Sequence, residues 1–200
     1  MIDKLPTVKK LMRHLHQVPF LASKNLYRVT SYFLQLDEER LTQFCTALKE
    51  AKNKIILCNI CFVWQEKDTQ CIFCADTSRD RSVICVVESW HELLVIERTE
   101  MFRGMYHVLG GVISPLDGIS AKDLTIEQLV VRVENSDVCE IIFALNQTPE
   151  GEATSAFIAR KLQGCSIKIT SLAKGVPVGS NLEFVDRLTV GKALTDRRLF

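Results

Sequence analysis

Residues 138–154 read VCEIIFALNQTPEGEAT. An apolar run (Val138, Ile141, Ile142, Phe143, Ala144, Leu145) ends at Asn146, and Glu150 and Glu152 then sit either side of Gly151. A continuous apolar run of this length fits a strand buried on both faces, and "GEATSAFIARKLQ" after it has helical spacing. A buried strand feeding a helix is the building unit of a parallel α/β sheet. Carboxylates at the end of such a strand are where α/β enzymes hold metal ions. The stretch therefore poses a functional question along with a fold: a metal-dependent active site, or an acidic helix start.

Working outward, the same alternation fills residues 80–175. "SVICVVE", "YHVLGG" and "SIKITSL" read as strands, and "SWHELLVIERT" and "TIEQLVVRVEN" as helices. The expected architecture is a parallel sheet with helices on both faces and right-handed crossovers. Residues 1–56 have a different period. Val8, Leu11, Met12 and Leu15 recur at helical spacing, as do Leu26, Val29, Tyr32 and Phe33, with Pro19 between the two sets. Ser23 is the expected N-cap of the second helix, and a third is expected from Asp37, where "DEER" places acids on the dipole's positive end. Residues 176–200 form a tail too short for its own core, expected to pack on the sheet or on another subunit through Phe184 and Val185, with Arg197, Arg198 and the terminal carboxylate in solvent.

Between these regions, residues 57–79 hold "CNICFVWQEKDTQCIFC". Cys58 and Cys61 form one C-x-x-C pair and Cys71 and Cys74 a second, nine residues on. Two such knuckles aim four thiolates at one point, the tetrahedral set that suits structural Zn²⁺ and leaves no open position for catalysis. A redox dithiol, which needs one pair only, and an iron–sulfur cluster are the competing readings. Cys45, Cys85, Cys139 and Cys165 lack ligand spacing, and Cys85 and Cys139 are expected to be buried thiols in strands.

Composition is that of a globular chain: 200 residues, 47% hydrophobic, 24% charged. No apolar run approaches the ~20 residues of a bilayer span, and the first residues lack a secretory pattern, so a cytoplasmic protein is expected. Net charge is +1, but residues 1–28 carry six cations and one acid, leaving −4 for the remainder. A basic end suggests a polyanion site; a solvated helix face is the alternative. Lys24 and Arg28, four apart, share a face of the second helix, and Lys9, Lys10 and Arg13 add charge nearby, while His14 and His16 are expected at the surface.

The order of these features resembles the RecR family of bacterial recombination mediators over nearly the whole chain. "CNIC…CIFC" resembles its zinc finger and "ICVVES" the first strand of its Toprim domain, with Glu88 at the Toprim glutamate. "GGVISPLDGI", "EGEAT" and "KGVPVGSNLEFVD" resemble its downstream signatures. The resemblance implies a helix–hairpin–helix DNA-binding region (1–56), a zinc finger (57–79), a Toprim domain (80–175) and a C-terminal packing or oligomerisation segment (176–200). It implies a non-enzymatic, ring-forming clamp at single-stranded gaps and junctions of DNA. That clamp works with RecO and RecF to load recombinase, in the bacterial cytoplasm at the nucleoid. The family's DNA-contacting cations map onto Lys24 and Arg28. Its hairpin usually reads like "LPGVGPKS", whereas this chain has "VPFLASKN", with Phe20 and Ala22 where glycines are expected.

Catalytic Toprim enzymes pair the strand-end Glu with an Asp-x-Asp that holds Mg²⁺. Here those positions are Asn146 and Thr148, so two anionic ligands are missing. A Mg²⁺-dependent phosphotransferase or nuclease is the alternative reading, and the neutral pair argues against it. No P-loop is present, so ATP hydrolysis is not expected. Glu88, Glu150 and Glu152 are then candidates for docking a basic partner protein; the acids of "EGEAT" also suit a helix start.

Overall fold

The computed structural model describes residues 5–197. Lys4 of the basic end, and Arg198 and the terminal carboxylate of the tail, lie outside them. The chain divides into two compact units between Ile55 and Ile56.

The first unit is helical: α1 (Pro6–His16), α2 (Ser23–Gln35) and α3 (Glu38–Lys54). Pro6 supplies the preset φ of a first helical position. Asp37 caps α3 by accepting from the Arg40 N–H at 2.8 Å, with Glu38 and Glu39 in the first turn and Lys52 and Lys54 in the last. The cap of α2 differs from expectation. Ala22 (φ −57°, ψ 141°) holds the N-cap position without a side-chain bond, and Ser23 is already helical. The preceding turn closes from the Leu21 N–H to the Val18 carbonyl, which brings the chain into extended geometry at Ala22, one residue early. Leu26 and Thr30 are buried on α2, and Phe33 packs on Phe44 of α3 with ring centroids 5.1 Å apart. A groove of about 590 Å³ with a wholly apolar lining, including Leu11, Leu15, Val29, Phe33, Phe44 and Leu48, remains in this unit.

The second unit opens with a small two-stranded sheet, β1 (Ile55–Leu57) and β2 (Trp64–Glu66), within the cysteine region. A four-stranded parallel sheet follows: β3 (Asp80–Val87), β4 (Gly104–Val108), β5 (Glu140–Phe143) and β6 (Lys168–Ser171), in the order β4-β3-β5-β6. Helices α4 (Trp90–Glu97), α5 (Ile126–Glu134) and α6 (Pro149–Lys161) make the connections. Successive side chains of a strand point to opposite faces, and β3 shows why its run is apolar throughout. Ile84 and Val86 enter a core with Leu129 and Val133 of α5 and Ile158 of α6. Cys85 and Val87 enter a second core with Leu93 of α4 and with Cys58, Cys61, Val63 and Phe73 of the cysteine region. The cysteine region thus covers one face of the sheet as a helix would.

One expectation is corrected here, and a second is narrowed. Cys85 is buried, but Cys139 is exposed: its backbone bonds to the Ser82 carbonyl and the Lys168 N–H at 2.8 Å each, yet it sits at the open amino-terminal end of β5 with Sγ 3.6 Å from the Asp137 carbonyl. In the tail, α7 (Arg187–Thr195) forms with Asp186 as its cap, yet Phe184 is 82% exposed and does not pack on the sheet. The short helical turn Leu182–Phe184 aims its ring outward. No helix among the described residues is long and apolar enough to cross a membrane.

Candidate functional site

The four cysteines converge. Their Sγ atoms lie within 4.8 Å of one another, with Cys61 to Cys71 at 3.4 Å and Cys58 to Cys74 at 3.9 Å. A tetrahedron with Zn–S bonds of ~2.3 Å has edges of ~3.8 Å, and the two separations bracket that value. Local folding sets the aim. The Cys58 N–H bonds to the Val63 carbonyl, the Ile60 N–H points at the Cys58 sulfur (3.4 Å), and Phe62 takes a left-handed φ of 60° to close the knuckle. Cys58, Cys61 and Cys71 are buried. The thiols cannot all ionise without a cation. The hydrogen bond with Cys74, followed by burial, pushes Cys61 up, while the same bond draws Cys74 down to about 6. Among the described residues this is the one group of three or more His, Cys, Asp or Glu residues that converges.

At the carboxyl end of β3, Glu88 faces Asn146, which follows β5. The Asn146 backbone N–H donates to Glu88 Oε1 at 2.6 Å, and its Nδ2 donates to Glu88 Oε2 at 2.9 Å and to Glu92 Oε1 at 3.4 Å. One asparagine thus bridges two carboxylates. Glu92 is held from its other side: Oε2 accepts from the Ser89 N–H (2.9 Å) and Oγ (2.5 Å), a capping box at the start of α4. Burial alone would raise the Glu92 carboxyl, but these donors, with the Asn146 amide, hold it below the usual range. Thr148, the second of the two neutral residues, serves the helix instead: its Oγ1 caps α6 by accepting from the Gly151 N–H at 3.1 Å. Gly151 is required by close approach, because a Cβ there would lie 2.2 Å from the Asn146 carbonyl oxygen and 3.5 Å from Glu88 Oε1.

The three predicted acids do not form one cluster. Glu88 is engaged by Asn146, and Glu150 lies in the first turn of α6, where its carbonyl accepts from Thr154 Oγ1 at 2.7 Å. Thr154 in turn accepts from the Ile113 N–H at 2.9 Å and so ties α6 to the "GGVISPLDGI" segment. Glu152 turns to Lys174 in an ion pair, whose hydrogen bond lowers its carboxyl. Glu92 was not among the residues read from sequence as functional. Its signal was the S-x-x-E spacing of Ser89 and Glu92. The Glu88–Asn146 pairing, 58 residues apart, has no such signal.

In the first unit, Lys24 and Arg28 are exposed on α2, and Lys9, Lys10 and Arg13 are exposed on α1. His14 and His16 are exposed as expected. Phe20, between the helices, has φ 63° and is fully exposed.

Comparison with known proteins gives a consistent picture. A family model for the Toprim domain matches residues 82–173, and one described as RecR, C-terminal, matches residues 175–198. The curated relative named recombination protein RecR from Tropheryma whipplei (strain Twist) is 39% identical over 191 residues, which cover 96% of each chain. The protein of the same name from Nocardioides is 41% identical over 191 residues, again 96% of each chain. That from Bifidobacterium adolescentis is 42% identical over 191 residues, covering 96% of this chain and 95% of the relative.

Proposed function

We propose a function from one premise: this chain belongs to the RecR family of recombination proteins. It is a recombination mediator in DNA repair. Our further reading is that it acts by holding DNA and partner proteins and performs no chemistry of its own. The observation that carries this is Asn146. A Toprim centre that moves phosphoryl groups needs anionic oxygens free to take Mg²⁺. Here both oxygens of Glu88 are occupied by donors from a neutral residue, which supports a centre that does without Mg²⁺. The Mg²⁺-dependent nuclease reading has the domain in its favour and lacks the ligands.

The division of labour we propose follows from charge. Lys24 and Arg28 contact phosphates at gaps or junctions between single- and double-stranded DNA, with Lys9, Lys10 and Arg13 extending the basic surface. The exposed position of all five supports this. Zn²⁺ in the Cys58, Cys61, Cys71, Cys74 site is structural, because four thiolates fill its shell. Glu88, Glu150 and Glu152, with Glu92 beside them, present the acidic side of the second unit to a basic partner. RecO and RecF, the partners that the family resemblance implies, fit that role. Two apolar surfaces, the groove between α1, α2 and α3 and the exposed Phe184 and Leu188 near α7, suit contacts with further copies of the chain in a ring. A cytoplasmic, nucleoid-associated location accords with this function.

The DNA reading is tested by binding of gapped DNA across a salt series. Each phosphate neutralised contributes ~0.7–0.9 to the slope of log K against log salt. Replacing Lys24→Ala with Arg28→Ala is expected to weaken binding and to reduce the slope by about 1.4–1.8. A double variant with the slope of the native chain removes the pair from the contact face.

A further inference from the structure

The turn joining α1 to α2 carries a residue that folding does not explain. The Leu21 N–H bonds to the Val18 carbonyl at 3.3 Å, so Pro19 and Phe20 are the two central residues of a β-turn. Proline cannot take a positive φ, which excludes the mirror-image turns at its position. Phe20 at φ 63° then makes this a type II turn, whose third position favours glycine. A phenylalanine adopts that conformation only against steric resistance, and glycine adopts it freely. Nor does the ring recover the loss by burial, for Phe20 is 105% exposed. Strain held by an aromatic side chain in full contact with water points to a role outside the fold.

The charge around it identifies the ligand. From residue 4 to residue 36 the sequence has no Asp or Glu, while Lys4, Lys9, Lys10, Arg13, Lys24 and Arg28 all fall within that span. A second copy seated on Phe20 through the same segment would set like charges against each other. A nucleic acid sets phosphates against them. We propose that Phe20 is a stacking platform for an unpaired base of bound DNA, flanked by phosphate contacts from Lys24 and Arg28. The inference rests on the DNA reading above and deepens it: the cations hold any DNA backbone, and the ring selects unpaired bases. Aromatic stacking accepts any base because every base has a π-face, which suits a protein that must bind gaps of arbitrary sequence.

The test uses the full chain with a gapped duplex carrying 2-aminopurine in the gap and with the matching intact duplex. Phe20→Gly suits the turn and is expected to fold at least as stably as the native chain. Loss of one base stack, ~1–3 kcal/mol, predicts gapped-DNA binding weakened about 5- to 150-fold. Because the ring is neutral, the salt slope should stay that of the native chain, the intact duplex should bind unchanged, and the 2-aminopurine signal on binding should be lost. Phe20→Trp should restore it and Phe20→Leu should not. If Phe20→Gly binds gapped DNA like the native chain while Lys24→Ala with Arg28→Ala does not, the stacking role is wrong and the DNA reading stands. If neither variant changes binding, both fail. If Phe20→Gly lowers the molar mass in light scattering and weakens both DNAs alike, Phe20 seats a second copy and the proposal is overturned.

Discussion

Asn146 sets the chemistry of the Toprim centre with three N–H donations, one from its backbone and two from its amide, all to Glu88 and Glu92. An aspartate in its place would lose the amide donors and set a third carboxylate beside two others. Thr148 can become aspartate at little cost, since aspartate caps a helix as well as threonine does. The double variant Asn146→Asp with Thr148→Asp is therefore expected to lose about 1–3 kcal/mol in metal-free buffer and to regain melting temperature when Mg²⁺ is added. The native chain should show no such rise; an equal rise in both would mean that the native acids already bind the ion. Sequence alone reached half of this. The neutral pair at two ligand positions was legible because ligand chemistry follows residue type. What Asn146 does instead was not, because it depends on where strands β3 and β5 place two side chains 58 residues apart. Cys139 shows the same boundary: its neighbours mark a strand and its backbone pairs with both adjacent strands, but burial of its side chain turns on what covers the end of the sheet, which residue type does not tell.

The elements were largely legible because buried parallel strands need uninterrupted apolar runs, and β3 and β5 have them. The cysteine region was legible as a metal site and illegible as a layer. Nothing in its spacing says that Val63 and Phe73 close one face of the sheet over Cys85 and Val87. Through that packing a metal held by the four cysteines would support the sheet as well. Structural Zn²⁺ contributes an apparent ~10–16 kcal/mol in short zinc-bound segments, so Cys61→Ser is expected to abolish stoichiometric zinc and to lower the cooperative melting of the second unit. Elemental analysis and calorimetry check both, and a zinc-free variant melting like the native chain would contradict it. His107 on β4 gives the same unit a pH signature. It is fully buried, its Nε2 lies 3.0 Å from both the carbonyl and the hydroxyl oxygen of Thr125, and burial lowers its pKa to about 3. Its folded pKa is below the unfolded ~6.5, so the unfolded chain takes up the proton first. The stability it contributes is complete above ~6.5 and is lost toward pH 3, at up to ~1.4 kcal/mol per pH unit. His107→Gln should show a shallower loss of stability between pH 6 and 4 in denaturant titrations; parallel curves would place His107 outside the cause.

At the scale of the molecule, the two compact units carry opposite charge tendencies: cations on the exposed faces of α1 and α2, and carboxylates where β3 meets α4 and where α6 begins. The proposed roles, a basic unit for DNA and an acidic one for protein, fit that charge division better than an enzyme does, whose substrate phosphates would have to approach Glu88, Glu92 and Glu150. The tail was the least legible part: its helix α7 has a clear cap in Asp186, but the outward ring of Phe184 follows from the short helical turn Leu182–Phe184, which has no periodic signal in the sequence. The central claim is that this Toprim centre binds partners and leaves DNA intact. The direct measurement is incubation of purified protein with end-labelled gapped DNA in Mg²⁺, resolved on a denaturing gel beside Glu88→Gln. The account predicts full-length DNA from both proteins. Strand cleavage by the native chain that disappears with Glu88→Gln would contradict it.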